Sequence, residues 1–286
     1  MKLSCLPVSL YPELSAGRWS LADWFRFAAE LGLDGADVSV VHLGGTETAH
    51  LRGLRSLATD AGVQIAMLVS YADFTHPDAA ERVRQVDGIR RYIAVAQELG
   101  AEFIRVTAGQ AHPGLERAAA LEWAVSGLTA CLDEAAQAGI TLAYENHTKG
   151  YAWTYNDFSQ PASIFLEIVA RTEGTGLRIL YDTANTLAAG DDPLAVLEAV
   201  KHRVAVIHTN DIARAGFFEP VVLGEGVAPI IPIYRTLIET GFDGWVSVEE
   251  AGKQGPGGFR RAIPYADWAW VQAGGQPRSA RMTSIL

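Results

Sequence analysis

The chemistry in this sequence gathers at four residues, each at the end of an apolar run. Residues 140–147 read Ile-Thr-Leu-Ala-Tyr-Glu-Asn-His, so an apolar stretch ends in the carboxylate of Glu145, then an amide and an imidazole. The same grammar returns in 177–182, ending at Asp182, in 204–208, ending at His208, and in 245–249, ending at Glu249. Taken singly, each has an ordinary structural explanation: a helix cap for Asp182, a satisfied rim histidine for His208, an arginine partner for Glu145 or Glu249. Together they form a mixed oxygen and nitrogen donor set that suits one divalent ion, whether manganese, magnesium, cobalt or zinc. Ionised carboxylates at buried strand ends need such a cation, because otherwise they neutralise. The ion would polarise a substrate carbonyl and acidify the adjacent C–H, and a nearby carboxylate would take the proton. Glu145 and Glu249 flank the Asp182 and His208 pair in strand order. They are therefore expected to address opposite faces of a substrate, as epimerisation needs, or to shuttle one proton in aldose–ketose isomerisation.

Residues so far apart meet only if the strand ends converge, which a closed barrel of parallel strands achieves. Periodicity predicts strands over 2–10, 35–40, 63–69, 103–107, 140–147, 177–182, 204–208 and 245–249. Helical patterns over 20–32, 46–62, 78–100, 115–139 and 229–240 lie between them, with further helices starting at Ser159-Gln160-Pro161, at Asp192-Pro193 and near Gly258. Eight strands alternating with eight helices predict an α/β (β/α)8 TIM barrel, a single domain over 1–273. The tail over 274–286 has no periodicity and is expected to be disordered or to reach a partner subunit, as in a homodimer or homotetramer. Cys5 and Cys131 make no disulfide framework or Cys-x-x-Cys site. A net charge of −10 argues against a nucleic-acid partner. Without a membrane-spanning apolar run or an amino-terminal leader in residues 1–10, the expected location is cytoplasmic and away from membranes.

Tyr144-Glu145-Asn146-His147, Tyr181-Asp182-Thr183-Ala184-Asn185, His208-Thr209-Asn210-Asp211, Gly224-Glu225-Gly226 and Gly244 to Glu250 carry a likeness that spans nearly the whole chain. The sequence resembles the xylose-isomerase-like barrels of the sugar isomerase and epimerase superfamily. By that resemblance Glu145, Asp182, His208 and Glu249 correspond to the metal ligands of ketose 3-epimerases, with manganese the expected ion. Arg214, six residues after His208, corresponds to an arginine that holds substrate hydroxyls there. Asn185 departs from a histidine in those epimerases and Tyr151 from a glutamate. His147 completes a Glu-x-His pattern similar to the dehydratase and lyase branches.

The resulting expectation is a metal-dependent isomerase or epimerase of a keto sugar or keto polyol. Its rival is a lyase on the same site, including one acting on a 3-keto glycoside, with His147 or His112 as acid. Arg214, Asn185, His147, His112 and Asp211 are expected at the carbohydrate. Lys149, Lys253 and Arg105 are read as able to meet an anionic group, and Trp153, Tyr155, Phe217 and Phe218 as able to stack on a sugar. Glu250 is expected to point away from Glu249 along the strand. A metal-dependent abasic-site nuclease would need more histidine ligands, and a sugar sensor would not need four metal ligands.

Overall fold

The computed structural model describes residues 1–278. Eight strands form one parallel sheet: β1 (Lys2–Leu6), β2 (Gly35–Ser39), β3 (Gln64–Val69), β4 (Phe103–Val106), β5 (Thr141–Glu145), β6 (Arg178–Asp182), β7 (Val204–Thr209) and β8 (Trp245–Glu249). They pair in sequence order from β2 to β8, β8 then pairs with β1, and β1 lies beside β2 to complete the ring. Helices follow the strands and cover the outer face, giving the (β/α)8 barrel expected from the alternation.

Side-chain alternation produces both the core and the site. Inward-facing Ala143, Leu180, Val206 and Trp245 join Met67 and Val69 in a cluster that fills the barrel. Outward-facing Leu142, Tyr144, Ile179, Ile207, Val246 and Val248 pack in the larger cluster beneath the helices. Because neighbours on one face are two residues apart, Glu145, Asp182 and His208 stand one interior step above Ala143, Leu180 and Val206, and Glu249 stands two steps above Trp245, with Ser247 between them. Register aligns them, with Asp182 opposite His208 and Ser247 opposite His208 across the neighbouring pair. The close fit beneath is visible at Gly35, where an added Cβ would stand 2.7 Å from the Trp245 ring.

Several boundaries differ from the periodicity. Residues 2–10 are not one strand: Pro7 cannot continue the ladder, and Val8–Leu10 and Tyr11–Ser15 form short helices instead. The 115–139 segment is two helices, Arg117–Thr129 and Leu132–Gln137. Near the break, the Thr129 hydroxyl donates back to the Val125 carbonyl at 2.8 Å, a contact that bends helices. Ser159 caps nothing; its hydroxyl donates to Asp157, while Asp191 accepts from the Ala162 N–H at the start of the next helix. The final helix starts at Gly255, before the expected Gly258. Arg278 folds back on its own chain, donating to Asp267, Asp34 and the Gly32 carbonyl, and the tail from 279 lies outside the described residues. No described helix is long and apolar enough to cross a membrane.

Candidate active site

Glu145, Asp182, His208 and Glu249 converge at the carboxyl end of the barrel, where one donor atom from each lies within 4.8 Å of the others. The first three are fully buried. Short side-chain splints fix the strand ends. Asn146 accepts from the Asp182 N–H at 2.7 Å and donates to the Asp182 carbonyl at 2.9 Å, tying β5 to β6. Asn210 donates its side-chain amide to Glu249 Oε2 at 3.0 Å. Asp182 Oδ1 caps the following turn through the N–H groups of Ala184 and Asn185, whereas Oδ2 is buried without a hydrogen bond. The capping explanation therefore accounts for one oxygen of Asp182 and leaves the other for a ligand.

Charge around these groups is strongly organised. Burial alone would raise the Glu145 carboxyl, but Arg105 and His208 hold it well below the usual carboxylate range. Arg105 Nη1 donates to Glu145 Oε2 at 2.8 Å, and His208 Nδ1 donates to Oε1 at 2.7 Å. Burial would lower His208, yet Glu145, Glu249 and Asp182 push it up to about 9. Asp182 moves the other way: burial first, then repulsion from Glu249 and Glu145, raise its carboxyl well above normal. Three crowded carboxylates, one oxygen without a partner and a retained imidazole proton fit a divalent cation, which would neutralise the acids and displace that proton.

Beside this cluster, His147 is 7% exposed and lines the cavity. Its Nε2 stands 4.0 Å from Glu145 Oε2, and its Nδ1 stands 3.5 Å from Asp157 Oδ2. Asp157 is buried behind the ring, its other oxygen fixed by the Ser159 hydroxyl and N–H at 2.7 Å. Burial raises the Asp157 carboxyl, and the His147 contact draws it back. Trp153 meets the His147 ring edge-on, with centroids 5.5 Å apart.

Other candidates are placed differently. Asn185 lines the cavity, and its Oδ1 accepts from the Thr148 hydroxyl at 2.7 Å. Arg214 does not line it: its side chain is 67% exposed, 3.6 Å from Glu219 and stacked on Phe217, because its loop folds outward. Asp211 is likewise withdrawn, its oxygens accepting from the N–H groups of Ile212, Gly224, Gly226 and Ala228 to hold the loop after β7. His112 also lies outside the cavity lining, its Nε2 2.8 Å from Asp73. Arg105 lines the cavity and meets an anion from within the protein, donating to Glu145. Glu250 points away from the cluster and accepts from the Gly252 N–H. Sequence reasoning missed Asp157 behind His147, and it allowed Glu145 an arginine partner without identifying it as Arg105. A charged residue within the apolar 103–106 strand was a signal for that contact; no short-range pattern marked Asp157.

The family model for the xylose isomerase-like TIM barrel matches residues 25–267. An inosose dehydratase from Lacticaseibacillus casei is 24% identical over 148 residues, covering 45% of this chain and 47% of that protein. The chain thus spans about half the length of that curated relative. Among solved structures, the probable 3-DHS dehydratase AsbF of Bacillus anthracis superposes with a TM-score of 0.75 at 19% identity, covering 92% of this chain and 98% of its own. A D-psicose 3-epimerase determined in the presence of D-fructose also gives 0.75, at 17% identity, covering 94% and 99%. Two of these proteins are named as dehydratases and one as a 3-epimerase, and the two structures share the barrel.

Proposed function

Because the chain belongs to the xylose isomerase-like TIM barrel family, we propose that it is a divalent-metal-dependent lyase that eliminates a β leaving group, water or an alcohol, from a keto sugar or keto polyol. The observation that carries this reading is the His147–Asp157 pair, an imidazole backed by a buried carboxylate and facing Glu145 and the cavity. Two-base epimerisation needs two carboxylates free to exchange protons. Here both Glu145 oxygens are already engaged, Oε2 by Arg105 and Oε1 by His208, so it is not free to exchange a proton with substrate. Glu249 lines the cavity and is oriented by Asn210, which makes it the base.

Glu145, Asp182, His208 and Glu249 would hold the ion, manganese being the expected one, which when bound supplies Lewis-acid polarisation of the substrate carbonyl. Glu249 removes the proton on the carbon next to that carbonyl, and the electron pair forms the new C=C bond as the β C–O bond breaks. His147 delivers a proton to the departing oxygen. Asp157 holds the ring in the orientation that presents Nε2, as carboxylates orient imidazoles elsewhere. Asn185, on the cavity wall, supplies an amide for a substrate hydroxyl. The inosose dehydratase relative supports elimination as the reaction class.

The test is a manganese-loaded protein incubated with a panel of inososes, ketoses and keto glycosides, read by mass. A product lighter by water or by an alcohol is expected. His147→Gln should slow elimination by roughly a hundredfold to ten-thousandfold, the usual cost of losing a positioned acid, with metal content unchanged. An isomer of equal mass would overturn the lyase reading and restore epimerisation through Glu145 and Glu249.

A further inference from the structure

We propose that the outer part of the active-site cavity is a subsite for an aromatic group attached to the carbohydrate, so that the substrate is an aryl glycoside and not a free sugar. This rests on the reading of the site as one that acts on a keto carbohydrate. The cavity measures about 530 Å3. That volume falls within the range of about 300–1,000 Å3 typical for drug-sized ligands, and it exceeds what one sugar ring fills.

The walls show what occupies the remainder. Tyr11, Tyr71, Tyr151 and Phe218 line the cavity from four different segments, those following β1, β3, β5 and β7. Tyr71 stacks on the Arg105 guanidinium at 4.7 Å, so the aromatic wall begins at the residue paired with Glu145. It continues through Tyr11, whose hydroxyl lies 3.4 Å from that of Tyr71, to Tyr151, which meets Tyr11 edge-on at 5.2 Å. Tyr151 is 54% exposed and Phe218 39%, leaving open ring surface next to an otherwise buried site.

The aromatic stretch of the wall would serve a second sugar ring less well than a flat ring, although polar groups elsewhere in the cavity include Ser9, Lys149, Asn185, Glu249 and Lys253. The hydroxyls of a sugar would need partners, and buried hydroxyls without them are costly. The Tyr11 and Tyr71 hydroxyls already engage each other, and the Tyr71 hydroxyl also receives the Ser39 hydroxyl at 3.3 Å. A flat ring needs no such partners and gains edge or face contact with each aromatic wall. Lys149 and Lys253 also line the cavity, and among the described residues neither is in an ion pair. Both ammonium groups are thus free to sit over the face of a bound ring.

Calorimetric titration of the manganese-loaded His147→Gln protein, in which turnover is slowed, with the 3-keto derivatives of 4-nitrophenyl β-glucoside, methyl β-glucoside and cellobiose tests the subsite. The aryl glycoside should bind about tenfold more tightly than the methyl glycoside, the scale of an added aromatic contact. Tyr151→Ala and Phe218→Ala should each erase most of that gain, and Tyr151→Phe should keep it, with metal content and circular dichroism unchanged throughout. Equal binding of aryl and methyl glycosides, tighter binding of cellobiose, or no binding of the aryl glycoside would overturn the proposal. The preference is read without turnover. A preserved aryl preference with no elimination product rejects the reaction alone, and elimination with no aryl preference rejects the subsite alone.

Discussion

Metal binding should release protons, and the structure gives the scale of the effect. In the ion-free site His208 is a fully buried group with its pKa pushed up to about 9 by Glu145, Glu249 and Asp182. At pH 7 it is therefore protonated, and an imidazole must lose that proton before it can ligate. Holding the site two pH units below this pKa costs about 2.7 kcal/mol of apparent binding energy, at about 1.4 kcal/mol per unit. Apparent manganese affinity should accordingly rise about tenfold per pH unit from pH 6.5 to 8.5. Calorimetry at pH 7 in two buffers of different ionisation enthalpy should count at least one proton released per ion, with the raised Asp182 carboxyl adding to the count at lower pH. The metal-free protein should trend oppositely. A histidine whose pKa is raised by folding stabilises the fold fully below its unfolded value near 6.5, and that stability is lost as pH rises through about 9. Denaturant midpoints for the metal-free protein should therefore fall across this window while metal affinity climbs. No proton release at pH 7, with affinity flat between pH 6.5 and 8.5, would refute the assignment of His208 as a protonated counter-charge that the ion displaces.

Arg105→Met should lower metal-free stability by about 3–5 kcal/mol, since it leaves Glu145 as an unpaired buried charge. Added manganese should recover part of the loss, and a melting temperature equal to that of the unsubstituted protein would show the pair to be dispensable. Gly35→Ala places a Cβ 2.7 Å from Trp245 and should cost about 1–3 kcal/mol by overpacking, read by urea unfolding, with kcat unchanged. Arg214→Ala should leave both turnover and metal content unchanged, because the side chain faces solvent and Glu219. A large rise in KM would return that residue to the substrate. Asp157→Asn should lower kcat and shift its pH profile while KM and metal content hold, the pattern of a residue that positions His147; an unaltered profile would make Asp157 merely structural.

How much of this was legible before the fold was known depends on distance along the chain. The barrel and the convergence of four ligand-type side chains at its mouth were legible because both rest on local patterns: apolar runs of strand length, and a carboxylate or imidazole where each run stops. Strand parity then determines the facing of Glu145, Asp182, His208 and Glu249 with no further information, since each lies an even number of residues, two or for Glu249 four, beyond an interior filler. The roles of the surrounding polar residues were not local. Asp211 and Arg214 lie three residues apart in one loop, yet Asp211 turns inward to gather four backbone N–H groups and Arg214 turns out to Glu219. The path of the loop decides this, and composition does not describe that path. The same holds for the two contacts with most consequence for mechanism. Arg105 reaches Glu145 across 40 positions, and Asp157 reaches His147 only because the loop after β5 doubles back to set its carboxylate behind the ring. These contacts alter the chemistry expected of the metal-site residues. With Glu145 engaged by an arginine and a histidine, the structure no longer presents the symmetric pair of bases implied by strand order, and the proposed mechanism assigns the base to Glu249 and the acid to His147. An asymmetric pair of that kind suits the loss of a leaving group better than the inversion of a stereocentre.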